Sequence, residues 1–336
     1  MSPPRRQLGR KGAVAILALL VIAFVAASDV AHGGLRFPFG ASAPTFRSTP
    51  DPAPVTAPPG TAVRVSSIPE LLDALADDSI SHIVVANGTY HVSPAGTIAS
   101  DSLWIGGDRY ARRTRPILVA AETRGGVIFD GGGGTEYAAL SFEDGAHDQT
   151  WDGFVFADMR ADYSGIVEVG GYVPKRPPHD ITLRFITIDG TCRGQATNAG
   201  APATEHAFYI SNAAGVGPNH LLFEDISVDG SGGLASAFQF DHGDTADPNA
   251  STVTVRRLRV SGTQQAIIFW TPAVHDITFA DVAIAGASRY AVRYETVGAT
   301  GIVLSNVTSR GSGKQGFFSS EGSTPPGLKL ENVDLQ

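Results

Sequence analysis

Six stretches decide the fold: ITLRFITIDG from Ile181, LLFEDISVDG from Leu221, VTVRRLRVSG from Val253, ITFADVAIAG from Ile277, IVLSNVTSRG from Ile302 and LKLENVDLQ from Leu328. They align without gaps, and their starts lie 40, 32, 24, 25 and 26 residues apart. A recurrence of this size marks a stacked repeat architecture. The first, third, sixth and eighth positions of every stretch are apolar except at Ser309. Period two on either side of a two-residue step means two short strands meeting at a bend, with those four positions facing inward. The bend position holds Asp225, Asp281, Asn306 and Asn332, with Phe185 and Arg257 as exceptions. Asp and Asn tolerate left-handed backbone, and stacked side-chain amides hydrogen-bond along a ladder.

Working outward, a further strand follows each stretch: HAFYIS from His206, SAFQFD from Ser236, QAIIFW from Gln265, YAVRYE from Tyr290 and QGFFSS from Gln315, each read as alternating. Strand, bend, strand, turn and strand describe one coil of a right-handed parallel β-helix, an all-β solenoid whose coils bury one continuous core. Helical arrays need apolar spacings of three and four, which are absent. Looser early coils are visible in PILVAAETRGGVIFDGG, Pro116 to Gly132, and DGFVFADM, Asp152 to Met159. Ahead of them, Ser67 and Glu70 form a capping box with Pro69 in the first turn, and Leu71, Leu72 and Leu75 share a face. The pattern predicts a short helix over Ser67 to Asp77 that plugs the N-terminal end of the stack. HIVVANGTYHV, His82 to Val92, reads as strand, Asn-Gly turn, strand. The sequence stops inside a strand, so a cover for that edge is expected from outside the chain or from an atypical end.

Composition bounds the rest. With 336 residues, 43% hydrophobic and 17% charged, wholesale disorder is excluded. Glycine is high at 39 residues, yet no Gly-X-Y period appears, which excludes collagen. Residues 1–32 read as an export signal or N-terminal membrane anchor: Arg5, Arg6, Arg10 and Lys11 precede the apolar run AVAILALLVIAFVAA, Ala13 to Ala27. PRRQLGR from Pro4 resembles a twin-arginine export motif. Residues 33–60 are a proline-rich linker, and residues 61–336 the β-helix domain. A secreted or extracellular protein is therefore expected, membrane-associated through residues 13–27 if that run is retained. The formal net charge of −8 argues against nucleic acid as a partner. Cys192, the single cysteine, cannot form an internal disulfide.

In the second-strand register, outward positions read Tyr209 and Ser211, Gln239 and Asp241, Ile268 and Trp270, Arg293 and Glu295, then Phe318 and Ser320, with Glu168 starting the column one coil earlier. Coils lie about 4.8 Å apart, so these residues form one strip. Long insertions after Gly190 and at HGDTADPNAS, His242 to Ser251, are expected to wall it. Trp270 and Tyr209 suit stacking on a sugar ring, with Glu295 and Glu168 as further substrate contacts. Arg293 either holds a uronate carboxylate or pairs with Glu295. Asp241 and His242 are the candidate acid and base. Asp241 and Asp244 are candidate calcium ligands, or simply turn residues. His206 is expected to pack into a turn. Lys175 and Arg176 extend a basic site or lie in a solvated loop.

The run IPELLDALADDSISHIVVANGTYHV, then RPILVAAETRGGVIFDGG, then the coils resemble the pectate-lyase-like β-helix superfamily, with the opening segment most similar to the alginate lyase and chondroitin B lyase family. The resemblance implies an acidic polysaccharide cleaved by β-elimination, with a lysine base, an arginine and a calcium-binding acidic cluster. The comparable strands here read FYISN and FQFDHG, with no match for the lysine or that arginine. Hydrolysis or epimerisation on the same face, and non-catalytic carbohydrate binding or surface display, stand as alternatives.

Overall fold

The computed structural model of the chain describes residues 55–92, 103–132, 138–159, 165–171, 176–189, 204–212, 217–230, 234–241, 251–270, 274–295, 299–313, 315–319 and 327–336. All of them lie in the unit Gly34–Gln336. The chain runs through β1 (Thr61–Val65), helix α1 (Ile68–Ala76), β2 (Ile80–Val85), β3 (Gly88–His91) and β4 (Leu103–Ile105). It continues through β5 (Ile117–Ala121), β6 (Val127–Asp130), β7 (Leu140–Phe142), β8 (His147–Asp152), β9 (Phe154–Ala157), β10 (Gly165–Gly171), β11 (His179–Arg184) and β12 (Thr187–Asp189). Next come β13 (Thr204–Asn212), β14 (Asn219–Asp229), β15 (Leu234–Asp241), β16 (Ser251–Ser261) and β17 (Gln265–Phe269). The last coils supply β18 (His275–Ala285), β19 (Tyr290–Tyr294), β20 (Ile302–Arg310), β21 (Gln315–Ser319) and β22 (Leu328–Leu335).

Neighbouring strands pair in parallel and come from successive coils, which is the architecture of a parallel β-helix. One sheet has the order β4-β7-β10-β13-β15-β17-β19-β21. In the other, the arms β1-β2-β5-β8-β11 and β3-β6-β9-β12 meet on β14, after which β16, β18, β20 and β22 stack as long strands running through the bend. The inward positions read from the repeat are buried, apart from Leu330 and Leu335, which are partly buried against the core. Inside, Phe208 stacks on Phe238 at 4.6 Å, and Phe240 on Phe269 at 5.4 Å. Phe223 and Phe279 meet these stacks edge-on from the other sheet.

The bend is left-handed as expected, with φ of 51° at Phe185, 55° at Asp225, 54° at Arg257, 57° at Asp281, 53° at Asn306 and 51° at Asn332. Asn332 Nδ2 donates to Asn306 Oδ1 at 2.9 Å, and Asn306 Nδ2 to Asp281 Oδ1 at 3.0 Å. The two exceptions have their own compensation. Phe185 lies beneath the guanidinium carbon of Arg124 at 3.5 Å, with that of Arg184 at 5.1 Å. Arg257 grips the Asp225 carboxylate on the preceding coil at 2.7 and 2.9 Å and also pairs with Glu224. A second left-handed corner, which the repeat did not reveal, sits just before the first inward residue: Asp148, Asp180, His220, Thr252 and Asp276 have φ between 52° and 55°. Beside it, the His147 and His179 rings stack at 5.0 Å.

Helix α1 forms where expected. Ser67 Oγ accepts from Glu70 N, and the Glu70 carboxylate accepts the Ser66 N–H at 2.7 Å. Buried Arg113 closes its far end by donating to the Leu75 and Asp77 carbonyls at 3.0 and 2.9 Å, and to Ile80 O at 2.7 Å. The Asn-Gly turn is a coil corner and not a hairpin, because β3 pairs in parallel with β6. Asn87 instead ties that corner to Thr123 on the next coil.

The expected location outside the cytoplasm, with residues 13–27 as a possible anchor, is corrected and not carried forward: among the described residues no helix is long and apolar enough to cross a membrane. Residues 13–27 themselves, the linker up to residue 54, and Cys192 lie outside the described residues.

Candidate functional site

The outer face of the eight-stranded sheet gathers the polar groups that the strip predicted. Register places Trp104, Ser141, Glu168, Tyr209, Gln239, Ile268 and Arg293 in one column, coil upon coil. Two residues further along each strand, Ser211 and Asp241 pair, and the ladder continues to Trp270 and Glu295 through Trp270 N to Phe240 O and Glu295 N to Phe269 O. Glu143 occupies the same second column near the N-terminal end, its N–H bonding Ile105 O.

This strip is not the open face expected. From Ser141 to Arg293 every residue of the first column is buried; Trp104 is 39% exposed, and Glu143, Trp270 and Glu295 are partly exposed. Buried polar groups must find partners, and here neighbouring coils supply many of them. Tyr209 OH donates to Asp241 Oδ2 at 3.3 Å, and Gln239 Nε2 to the same oxygen at 2.7 Å. Ser211 Oγ donates to Glu168 Oε1 at 3.3 Å. Arg293 Nε donates to Glu295 Oε1, its NH1 reaches Gln265 Oε1 at 3.4 Å, and its guanidinium carbon lies 5.1 Å from the Trp270 ring centroid.

Strict alternation also fails at one point. Ala207 and Phe208 are both buried in the core, as are Ala237 and Phe238, Ala266 and Ile267, and Ala291 and Val292. Two successive inward residues turn the preceding one outward, and only a small side chain fits the inside of that corner. His206 therefore joins the strip: its ring stacks on Tyr209 at 5.3 Å, and Nδ1 lies 2.8 Å from Ser236 Oγ. Full burial pushes its pKa down to about 3, so the imidazole is neutral.

Sequence reasoning missed Glu143. Its carboxyl is pushed up to about 7, chiefly by desolvation and further by the nearby Glu168 and Asp144 charges, against hydrogen bonds from Ser141 and Trp104. Ser141 Oγ donates to Glu143 Oε1 and stands in register beside Glu168. The three-residue strands β4 and β7 carry too little periodicity to announce this. The available signal was the alignment of LSFE with VEVG one coil later.

Among the sequence candidates, the structure brings Tyr209 and Asp241 together, Arg293 and Glu295 together, and Trp270 against Arg293. Glu168 lies four coils before Arg293, roughly 19 Å along the stack at the usual strand spacing. His242, Asp244 and Lys175, with the Phe318 side chain, lie outside the described residues. Arg176 pairs with Asp108 at 2.5 Å. Among the described residues no three His, Cys, Asp or Glu side chains gather for a metal. Asp241 Oδ2 meets two hydrogen-bond donors, and Asp244, the other expected calcium ligand, lies outside the described residues.

No protein-family profile matches the sequence, and no curated protein matches it. Among solved structures, a PL6 family alginate lyase, AlyGC, is similar with a TM-score of 0.46 and 13% identity, covering 86% of this chain and 41% of that one. The chain thus spans less than half the length of that lyase. An alginate lyase from Paenibacillus sp. str. FPU-7 is similar with a TM-score of 0.33 and 11% identity, covering 81% of this chain and 99% of that one. The A-module of the mannuronan C-5 epimerase AlgE4 of Azotobacter vinelandii gives 0.30 and 13%, covering 80% and 90%. These likenesses are too distant to speak of a reaction; the strand register establishes the fold.

Proposed function

We propose that this protein binds a polysaccharide at the Trp104 and Glu143 end of the outer face of its eight-stranded sheet, where that face opens to solvent, and cleaves a glycosidic bond with the carboxyl pair Glu143 and Glu168. One arrangement carries the reading: the partly exposed Glu143 carboxyl accepts from Ser141 Oγ between the exposed Trp104 on the preceding coil and a second carboxyl, Glu168, on the next, and burial pushes its pKa up to about 7. A proton-bearing carboxyl beside a second carboxyl is the arrangement that glycoside hydrolysis uses. Glu143 sits diagonally from Glu168, one coil and two residues away, so their Cα atoms are roughly 8 Å apart by strand geometry. Trp104 offers its ring face to the sugar. Protonated Glu143 gives its proton to the glycosidic oxygen as the C1–O bond breaks. Glu168 then either bonds to C1, the resulting ester being hydrolysed by a water that gives its proton to the now ionised Glu143, or takes a proton from a water that attacks C1 directly.

Beta-elimination on an acidic polymer, the expectation from sequence, needs Arg293 to meet a uronate carboxylate. That guanidinium already lies on Glu295, which weakens this second reading. Asp241 and His242 as acid and base remain a proposal.

The test mixes the full chain with neutral glucans and with polyuronates, following new reducing ends and the ultraviolet absorbance of unsaturated uronate. New reducing ends without that absorbance, lost about 100-fold or more in Glu143→Gln and Glu168→Gln, are expected. Absorbance abolished by Arg293→Ala would instead establish elimination. Binding without any product would make this a carbohydrate-binding protein.

A further inference from the structure

Trp104 is the one large apolar side chain exposed among the described residues, and it stands in register beside Ser141, whose hydroxyl donates to Glu143. A sugar stacked on that indole lies one coil, roughly 5 Å along the stack, from the strand that carries the Glu143 carboxyl. Resting on the reading above, we infer that glycan binding at Trp104 and protonation of Glu143 are one coupled event, the bound sugar holding the acid in its proton-donating form.

Desolvation is already the largest influence on Glu143, and it acts against the ionised form. A sugar ring laid on Trp104 removes the remaining water from a partly exposed carboxyl, so the ionised form loses hydration that the neutral form does not need. The charged groups that face Glu143 push the same way: Glu168 from β10 and Asp144 from its own turn both disfavour a second negative charge. The opposing groups are the Ser141 hydroxyl and the Trp104 indole N–H. No compensating cation comes from Arg176, which packs near Gly145 but pairs with Asp108. The neutral carboxyl meanwhile gains a hydroxyl-rich ligand to which its own O–H can donate.

Linkage fixes the observable consequence. If the ligand binds the protonated protein better, the protein binds protons better when liganded. Proton uptake accompanies binding near pH 7, and affinity falls as pH rises through Glu143's range, tenfold for each unit by which the ligand raises its pKa. The same coupling keeps the acid charged with its proton until the substrate is seated.

Calorimetric titration of the full chain with glucose and uronate oligosaccharides, in two buffers of different ionisation enthalpy, measures this directly. Net uptake of a fraction of a proton near pH 7 is expected, and it should vanish in Glu143→Gln, whose affinity, at whatever level it stands, should no longer depend on pH across Glu143's range. Ser141→Ala removes a donor to the ionised form, so the pH at which uptake peaks should move upward. Binding with no proton uptake, or uptake that persists in Glu143→Gln, overturns the coupling while leaving the glycan reading intact. Absence of binding to every oligosaccharide overturns both.

Discussion

Arg293 lies along Glu295, two residues ahead on the same outer edge, with Nε donating to Oε1 and the guanidinium set 5.1 Å from the Trp270 ring. The side chains are 5% and 15% exposed, so neither charge is well hydrated. Removing one partner of such a pair strands the other. Arg293→Met is expected to cost about 3 kcal/mol, and adding Glu295→Gln to recover at least about 1 kcal/mol of it. Denaturant unfolding of the two single variants and the double variant reads this. Additive losses would mean the pair is not coupled, and would restore Arg293 as a substrate contact.

Glu143 makes stability depend on pH. Its folded-state pKa of about 7 lies above the ordinary carboxyl value. The folded protein therefore holds the proton more tightly than the unfolded chain, a contribution fully present below about pH 4.5 and lost as pH rises to about 7. Relative to Glu143→Gln, the wild type should lose about 1–3 kcal/mol across that window, the lower figure allowing for solvent screening at a partly exposed group. Parallel stability curves for the two proteins would contradict the assignment.

His206 acts with the opposite sign. Burial depresses its pKa to about 3, so the folded state resists a proton that the unfolded chain accepts near pH 6.5. Stability is present above that pH and falls on acidification towards 3, by at most about 1.4 kcal/mol per unit. His206→Gln keeps a partner for Ser236 without titrating. Its melting temperature should fall less steeply between pH 6 and 4 than that of the wild type.

Asn306 holds the middle of the amide ladder at φ 53°. Asn306→Gly keeps the backbone but loses two hydrogen bonds, and should cost about 1–2 kcal/mol. Asn306→Val adds left-handed strain of about 1–2 kcal/mol to that loss. Equal melting temperatures for the two variants would show that the bend is not strained.

Much of this was legible along the chain, and the reasons differ by element. The inward positions of β14, β16, β18 and β20 repeat because each coil meets the same neighbours, so one pattern is written several times. The cap of α1 is local: Ser67 and Glu70 interact across three residues, and short-range chemistry can be read from short-range sequence. Phe185 and Arg257 stood as exceptions in the bend column because their justification lies one or more coils away, in Arg124 and Asp225. The second left-handed corner was hidden for a different reason, since Asp, His and Thr share it and no single residue type marks it. Glu143 went unseen because its environment comes from Trp104, Ser141 and Glu168 on three successive coils.

The sequence by itself determined the solenoid, its inward face, the capping helix and the strand that carries each outward residue. Periodicity and capping act between residues a few positions apart, or identically in every coil, and so survive in one dimension. Only the tertiary structure decided that the strip is largely buried, that Arg293 is spoken for by Glu295, that His206 faces outward and stays neutral, and that Glu143 keeps a proton near pH 7. Each of these depends on which side chains meet across coils and how much water they exclude. Hydration and charge pairing are properties of that assembled surface, not of spacing along the chain.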